Sequence, residues 1–225
     1  ALATAGMQET ISYSLTSYET LQRVQAIDQD TPPLEVSNPM NFRHQYLRTS
    51  LLGNVLNSLA TNLHHEESSV RLFEVGRVYL NRWDDLPRER EMVAGLLWGT
   101  RSHLSWTKES ESVDFYDAKG TLEAILWALG KHAWFQPASV GTLHPGRSAQ
   151  VLVDGEHIGV VGEVHPYVLE QFGIPRENVT VLFEVDLDVL LPLLEEQEIR
   201  FAPLPRFPGA YRDLALVSNA DIPAR

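Results

Sequence analysis

The sequence predicts an α+β fold, a mainly antiparallel sheet flanked by helices, on three observations. Alternating apolar runs follow one another in hairpin-like succession rather than in strict βαβ order. Two segments, 49–63 and 114–130, carry helical periodicity, and no glycine-rich phosphate loop opens either of them. The chain has 225 residues, 44% hydrophobic and 21% charged, enough for one large core or two smaller ones.

In chain order, "GMQETISYSLTS" opens with a glycine suited to ending a helix and continues with Ile11, Tyr13 and Leu15 alternating with Ser and Thr, the pattern of a half-buried strand. "SYETLQRVQ" is a short amphipathic turn or helix, and "TPPLEVSNPMN" a proline-punctuated loop. From Thr49, apolar residues at 51, 52, 55, 56, 59 and 63 mark the clearest helix, with Thr49 or Ser50 as N-cap. "VRLFEVGRVYL" and "EREMVAGLLWG" are strands, and "DFYDAKGTLEAILWALG" is a helix ending near Gly130.

"AQVLVDGEHIGVVGEV" comprises two alternating runs joined at Asp154-Gly155, a strong signal for a type I′ hairpin. "HPYVLEQFGI" is a short helix with Pro166 in its first turn, and "VTVLFEVDLDVLLPLLEE" a strand leading into a helix. After Glu198 the chain is rich in Pro and aromatic residues and then alternates again in "RDLALV", expected to be a linker and the first strand of a further domain. Both ends are expected to be cut points within a longer protein.

Composition narrows function. A net charge of −12 opposes nucleic-acid binding by a basic face. No cysteine is present, so disulfides and thiolate metal sites are excluded. His64-His65 stands alone and is expected at an exposed helix end. There is no apolar run of membrane-spanning length and no signal-peptide pattern, so a cytoplasmic protein is expected. Trp83, Trp98, Trp106, Trp127 and Trp134 lack accompanying basic residues and are expected as core and interface anchors rather than a base-stacking platform. The run "EEQE" at 195–198 is a solvated helix end. Arg77 is expected on a strand surface unless it bonds across a subunit boundary, and Arg48 either there or fixing the loop before the long helix. His144-Pro145 and His165-Pro166 fall at the open end of the Asp-Gly hairpin. Neither histidine has a nucleophile and an acidic orienter in a recognisable arrangement, so both are expected to bond local backbone without sharing a metal or ligand.

"NPMNFRHQYLRTSLLGNVLNSLATNL", "VRLFEVGRVYL", "LHPGRSAQVLVDGEHIGVVGEVHPYVLEQFGI" and "RFPGAYRDLALV" together resemble the beta subunit family of bacterial phenylalanyl-tRNA synthetases, over nearly the whole chain and in the right order. The resemblance implies a core like that of class II synthetases and biotin synthetases over 1–202. From 203 to 225 it implies a linker and the first strand of a truncated ferredoxin-like anticodon-binding domain. It implies an alpha2beta2 heterotetramer in which the alpha subunit attaches phenylalanine to tRNA(Phe) with ATP and magnesium.

Active cores of that class grip ATP with a strand ending in arginine and with a glycine-rich strand and helix start carrying another. Here the first resembles "GRVYL", with Leu80 in the arginine's place, and the second "FEVDLDVL", with Glu184 and Asp186 for glycines and Val189 for arginine. The implied site is dismantled, since two carboxylates would face a polyphosphate without a cation. The chain is therefore expected to hold no catalytic, cofactor-binding or metal-binding residue and to serve assembly, with the helix from Thr49 to Leu63 and the strand at 10–15 contacting the alpha subunit. The alternatives are an independently ATP-binding enzyme domain and an RNA-binding module. The family's editing domain, N-terminal tRNA-binding domain and magnesium carboxylates are expected upstream of residue 1.

Overall fold

The computed structural model describes residues 1–28, 30–65, 69–83, 85–101, 106, 111–195, 206–217 and 219. A seven-stranded sheet in the order β1-β4-β5-β9-β8-β7-β6 forms the frame. Its long strands are β4 (Ser69–Leu80), β5 (Arg88–Gly99), β7 (Leu143–Val153), β8 (Glu156–Val164) and β9 (Thr180–Asp186). The edges are β1 (Gln8–Glu9) and β6 (Ala133–Pro137). All pairings are antiparallel except β1 with β4. A separate two-stranded ladder joins β2 (Leu15–Thr16) to β3 (Tyr46–Leu47). The mixed α+β architecture with a mostly antiparallel, helix-flanked sheet is thus present.

Period-2 alternation divides the sheet's side chains between two cores. On one face, Leu72, Leu96 and Leu182 meet α2 (Leu52–Asn62), which buries Leu52, Val55, Leu56 and Leu59, and α4 (Pro166–Gln171), which buries Val168 and Leu169. On the other, Phe73, Val93, Leu97 and Phe183 meet α3 (Phe115–Ala128) and α5 (Leu187–Glu195). Helix α3 begins with a capping box between Asp114 and Asp117 and stops before Gly130 at φ 75°. A short α1 (Tyr18–Arg23) is capped by Ser17 and lies against α2.

The hairpin forms where expected: Asp154 has φ 53° and Gly155 φ 89°, the two left-handed positions of a type I′ turn between β7 and β8. Edge strand β6 went unforeseen, because its five residues carry no clean alternation between core and solvent types.

One expectation is corrected. The segment 10–14 is not a strand with Ile11 and Tyr13 turned inward: Ile11 is 88% and Tyr13 75% exposed, while Ser12 and Ser14 take the half-buried positions. The run "RDLALV" at 212–217 lies exposed and pairs with no strand among the described residues, where the rest of the expected further domain would have to supply its partner. Of the five tryptophans Trp98 is in the core, while Trp83, Trp106, Trp127 and Trp134 are exposed, positions left for the interface half of the expectation. His64 is exposed as expected, and residues 196–198 of the acidic run lie outside the described residues.

Candidate functional site

One cross-strand row organises the α2 side of the sheet. Glu74 on β4 pairs in register with Ala94 on β5, and Ala94 with Glu184 on β9. Two carboxylates therefore flank a small residue beneath the segment that leads into α2.

Glu184 does not face an open cavity. Its Oε1 accepts from the Ser50 hydroxyl at 2.9 Å and the Leu51 amide at 2.7 Å. The start of α2 is thereby held by a carboxylate from a distant strand together with the Ser50 hydroxyl, while the N-cap position itself is neither Thr49 nor Ser50. The N-cap position is Leu51, Thr49 Oγ1 donates to the Ala26 carbonyl, and Ser50 Oγ accepts from the Leu52 amide. The side chain keeps part of its surface open, but its carboxyl is covered by protein. Burial pushes that carboxyl above the ordinary range, against the lowering effect of the Leu51 and Ser50 hydrogen bonds. Asp186, one row further along, pairs with Arg90 and accepts from the Asp188 and Val189 amides at 3.0 and 3.3 Å, capping α5. Leu80 ends β4 half-buried opposite Arg88. The positions at which the resemblance placed an ATP clamp thus hold helix caps and an apolar strand end.

Glu74 carries the buried ion pair. Arg48 Nη1 lies 2.5 Å from its Oε1, with the two side chains 4% and 2% exposed. Arg48 Nε also donates to the Arg77 carbonyl at 2.8 Å. Of its two expected settings, Arg48 takes the one that fixes the loop before α2. Its guanidinium lies against Gly76, where a β-carbon would collide with Nη2, so the glycine of "VGRV" is a matter of close approach. Arg77 points to the opposite face, where it is 62% exposed and bonds Glu89 at 2.8 Å. Glu74 escaped the sequence reading, although one signal existed: it shares the inward parity of Val70, Leu72 and Val78.

Beside this row the outer face of α2 borders an open groove of about 720 Å³, with Asn54, Asn57, Ser58 and Thr61 on one wall and Thr10, Ser12, Tyr13 and Phe42 among the others. Helix α2 carries no charged residue at all. Tyr13 and Phe42, 75% and 68% exposed, border this groove with large side chains in solvent, Glu19, Arg23 and Arg43 add charge to its other walls, and Ile11, 88% exposed, lies on the same segment as Tyr13. A smaller apolar cleft of about 300 Å³ lies on the opposite face of the sheet between α3 and α5.

The histidines meet, ring centroids 6.2 Å apart and 25° from parallel. His144 Nδ1 accepts from the Gly146 amide at 3.2 Å, and His165 Nδ1 caps α4 by accepting from the Tyr167 amide at 3.1 Å. Each imidazole therefore bonds its own local backbone. Among the described residues no three His, Asp or Glu converge as metal ligands.

Residues 1–187 match the family described as phenylalanyl tRNA synthetase beta chain CLM domain. Among similar curated proteins, the phenylalanine–tRNA ligase beta subunits of Halalkalibacterium halodurans, Geobacillus kaustophilus and Dehalococcoides mccartyi are 35%, 36% and 37% identical to this chain. Each comparison covers 98% of this chain and 27% of the relative. The chain thus spans about a quarter of the length of these relatives.

Proposed function

This chain belongs to the phenylalanyl-tRNA synthetase beta chain family, and on that premise we propose that it is a non-catalytic module, class II-like in its core, that packs against the alpha subunit. Its region is the CLM domain of that subunit. The observation that carries the proposal is the surface around α2: an uncharged helix that shares a groove with the exposed Tyr13 and Phe42, with Ile11 exposed on the same segment as Tyr13. Isolated side chains of this size in solvent are ordinary, but the placement of Tyr13 and Phe42 along a groove whose α2 wall lacks charge favours a covered surface.

The assembly is an alpha2beta2 heterotetramer working in the cytoplasm, in which the alpha subunit uses ATP and magnesium to attach phenylalanine to tRNA(Phe). This chain contributes structure rather than chemistry. Residues 203–225 are proposed as the linker and first strand of a ferredoxin-like anticodon-binding domain. No helix of the described residues is long and apolar enough to cross a membrane. The reading is tested by titrating full-length beta subunit with alpha subunit. Ile11→Asp and Tyr13→Asp each place a charge in the proposed contact and are expected to weaken the complex by about 10-fold or more. Wild-type affinity in both variants would overturn it.

A further inference from the structure

We propose that Ser12, Glu74 and Arg48 act as one positioning device that sets which side chains of residues 10–14 are presented to the partner. The inference rests on the reading that this face docks the alpha subunit. It begins from the inverted phase of the segment, in which serine occupies the inward position while Ile11 and Tyr13 face out.

The ladder between β1 and β4 ends with the Thr10 amide donating to the Phe73 carbonyl at 2.8 Å. Beyond it, side chains fix the backbone. The Ser12 hydroxyl lies 2.7 and 2.8 Å from the two Glu74 carboxylate oxygens, to which it donates. It accepts from Arg48 Nη1 at 3.1 Å and from Asn54 Nδ2 at 2.5 Å. A hydroxyl has one proton to give and two lone pairs to fill, so Ser12 is saturated. Asn54 Nδ2 also donates to the Tyr13 carbonyl at 3.1 Å, and the Arg48 amide to the Ser14 carbonyl at 2.9 Å.

The arrangement explains the phase. An extended segment that slips by one residue exchanges its faces. Here such a slip would set Ile11 or Tyr13 against a carboxylate that is almost fully buried and would deprive it of its hydroxyl donor. The buried ion pair therefore selects the register in which the polar residue points in, and the apolar side chains remain outside as a consequence. The Ser12 hydroxyl is saturated by Glu74, Arg48 and Asn54 of its own chain, so it acts through Ile11 and Tyr13 and is a positioning residue.

The test uses full-length beta subunit and its affinity for alpha subunit, together with amide hydrogen exchange across residues 10–14. Ser12→Ala is expected to weaken the complex about 10-fold and to speed exchange at the amides of residue 12 and Arg48, which donate to Glu74 Oε1 and the Ser14 carbonyl, while β4, β5 and α2 keep their protection. Ser12→Thr, which keeps the hydroxyl, is expected to restore affinity to within about 3-fold. If Ser12→Ala fails to fold, Asn54→Ala, which removes the donor to Ser12 and to the Tyr13 carbonyl but leaves the ion pair intact, carries the same expectation at smaller amplitude. Wild-type affinity in Ser12→Ala, or in Asn54→Ala where that variant stands in for it, overturns the positioning role if Ile11→Asp still weakens the complex. If Ile11→Asp and Tyr13→Asp also bind as wild type, the docking reading fails and the inference with it.

Discussion

Replacing Arg48 by Met probes the interaction on which the α2 side of the sheet depends. Methionine is unbranched and of similar length, so the change removes the charge and the donors more than the volume. Three hydrogen bonds vanish: to Glu74 at 2.5 Å, to the Arg77 carbonyl at 2.8 Å and to Ser12 at 3.1 Å. Glu74, whose side chain is 2% exposed, keeps its charge with only Ser12 to satisfy it. Breaking a buried pair from one side costs about 3–5 kcal/mol, most of it the penalty for the charge left behind. For a domain of this size each kcal/mol is about 2–4 °C, so the melting temperature is expected to fall by roughly 6–20 °C. Adding Glu74→Gln removes the stranded charge, and the double variant is expected to be more stable than Arg48→Met alone. Thermal and urea unfolding of wild type, both single variants and the double variant complete the cycle. A loss below about 1 kcal/mol for Arg48→Met, or costs that simply add, would refute the reasoning.

Further outcomes follow from the same geometry. Gly155→Val places a β-branched residue at φ 89° and is expected to cost about 1–3 kcal/mol; an unchanged melting temperature would argue against the type I′ turn. For Glu184, burial raises the carboxyl above its ordinary value of 4.5, so the folded state binds that proton more tightly than the unfolded chain does. Its contribution is complete below the ordinary value and is lost as the pH rises through the raised one. Glu184→Gln, neutral at every pH, should therefore gain stability relative to wild type as the pH rises above the ordinary value and through the raised one, and a pH-independent difference would count against the shift. Beta subunit free of alpha subunit is expected to show no phenylalanine-dependent pyrophosphate exchange, because loss of even one donor to a developing charge costs about 100- to 1000-fold in rate; exchange above background would overturn the non-catalytic reading.

Strands β4, β5, β7, β8 and β9 and helices α2 to α5 were legible because each carries its own period and punctuation: an Asp-Gly turn, a glycine past the helix end, a proline in the first helical turn. The segment 10–14 was misread for the same reason. Its alternation is real, but its phase is decided by Glu74 some sixty residues away, and periodicity alone carries no sign. The α2 start was legible only in part: Ser50 does accept from a first-turn amide, but the N-cap position is Leu51 and a carboxylate from β9 takes the Leu51 amide. Local signals placed the elements; long-range polar contacts chose which face each one shows. Residue type alone did not divide the tryptophans between core and surface, because it predicts burial only on average, and Trp127 lies exposed on α3.

Glu184 and Asp186 show how one substitution pattern can serve two ends. Judged against an ATP site, both carboxylates are repulsive, and the sequence argument stops there. The contacts add what they do instead: Glu184 holds the start of α2, and Asp186 holds the start of α5 on the opposite face and binds Arg90. Both occupy helix N-termini, where a negative charge is favoured by the exposed amides. Two acids two residues apart on β9 thus anchor one helix to each side of the sheet. Glycine at either position would not create a phosphate site, because it would release the helix cap before any ligand arrived to replace it. Nucleotide binding there would require new cations and a new means of holding α2 and α5 at once, which is why single substitutions, glycine at Glu184 or Asp186 or arginine at Leu80 or Val189, are expected to yield no activity.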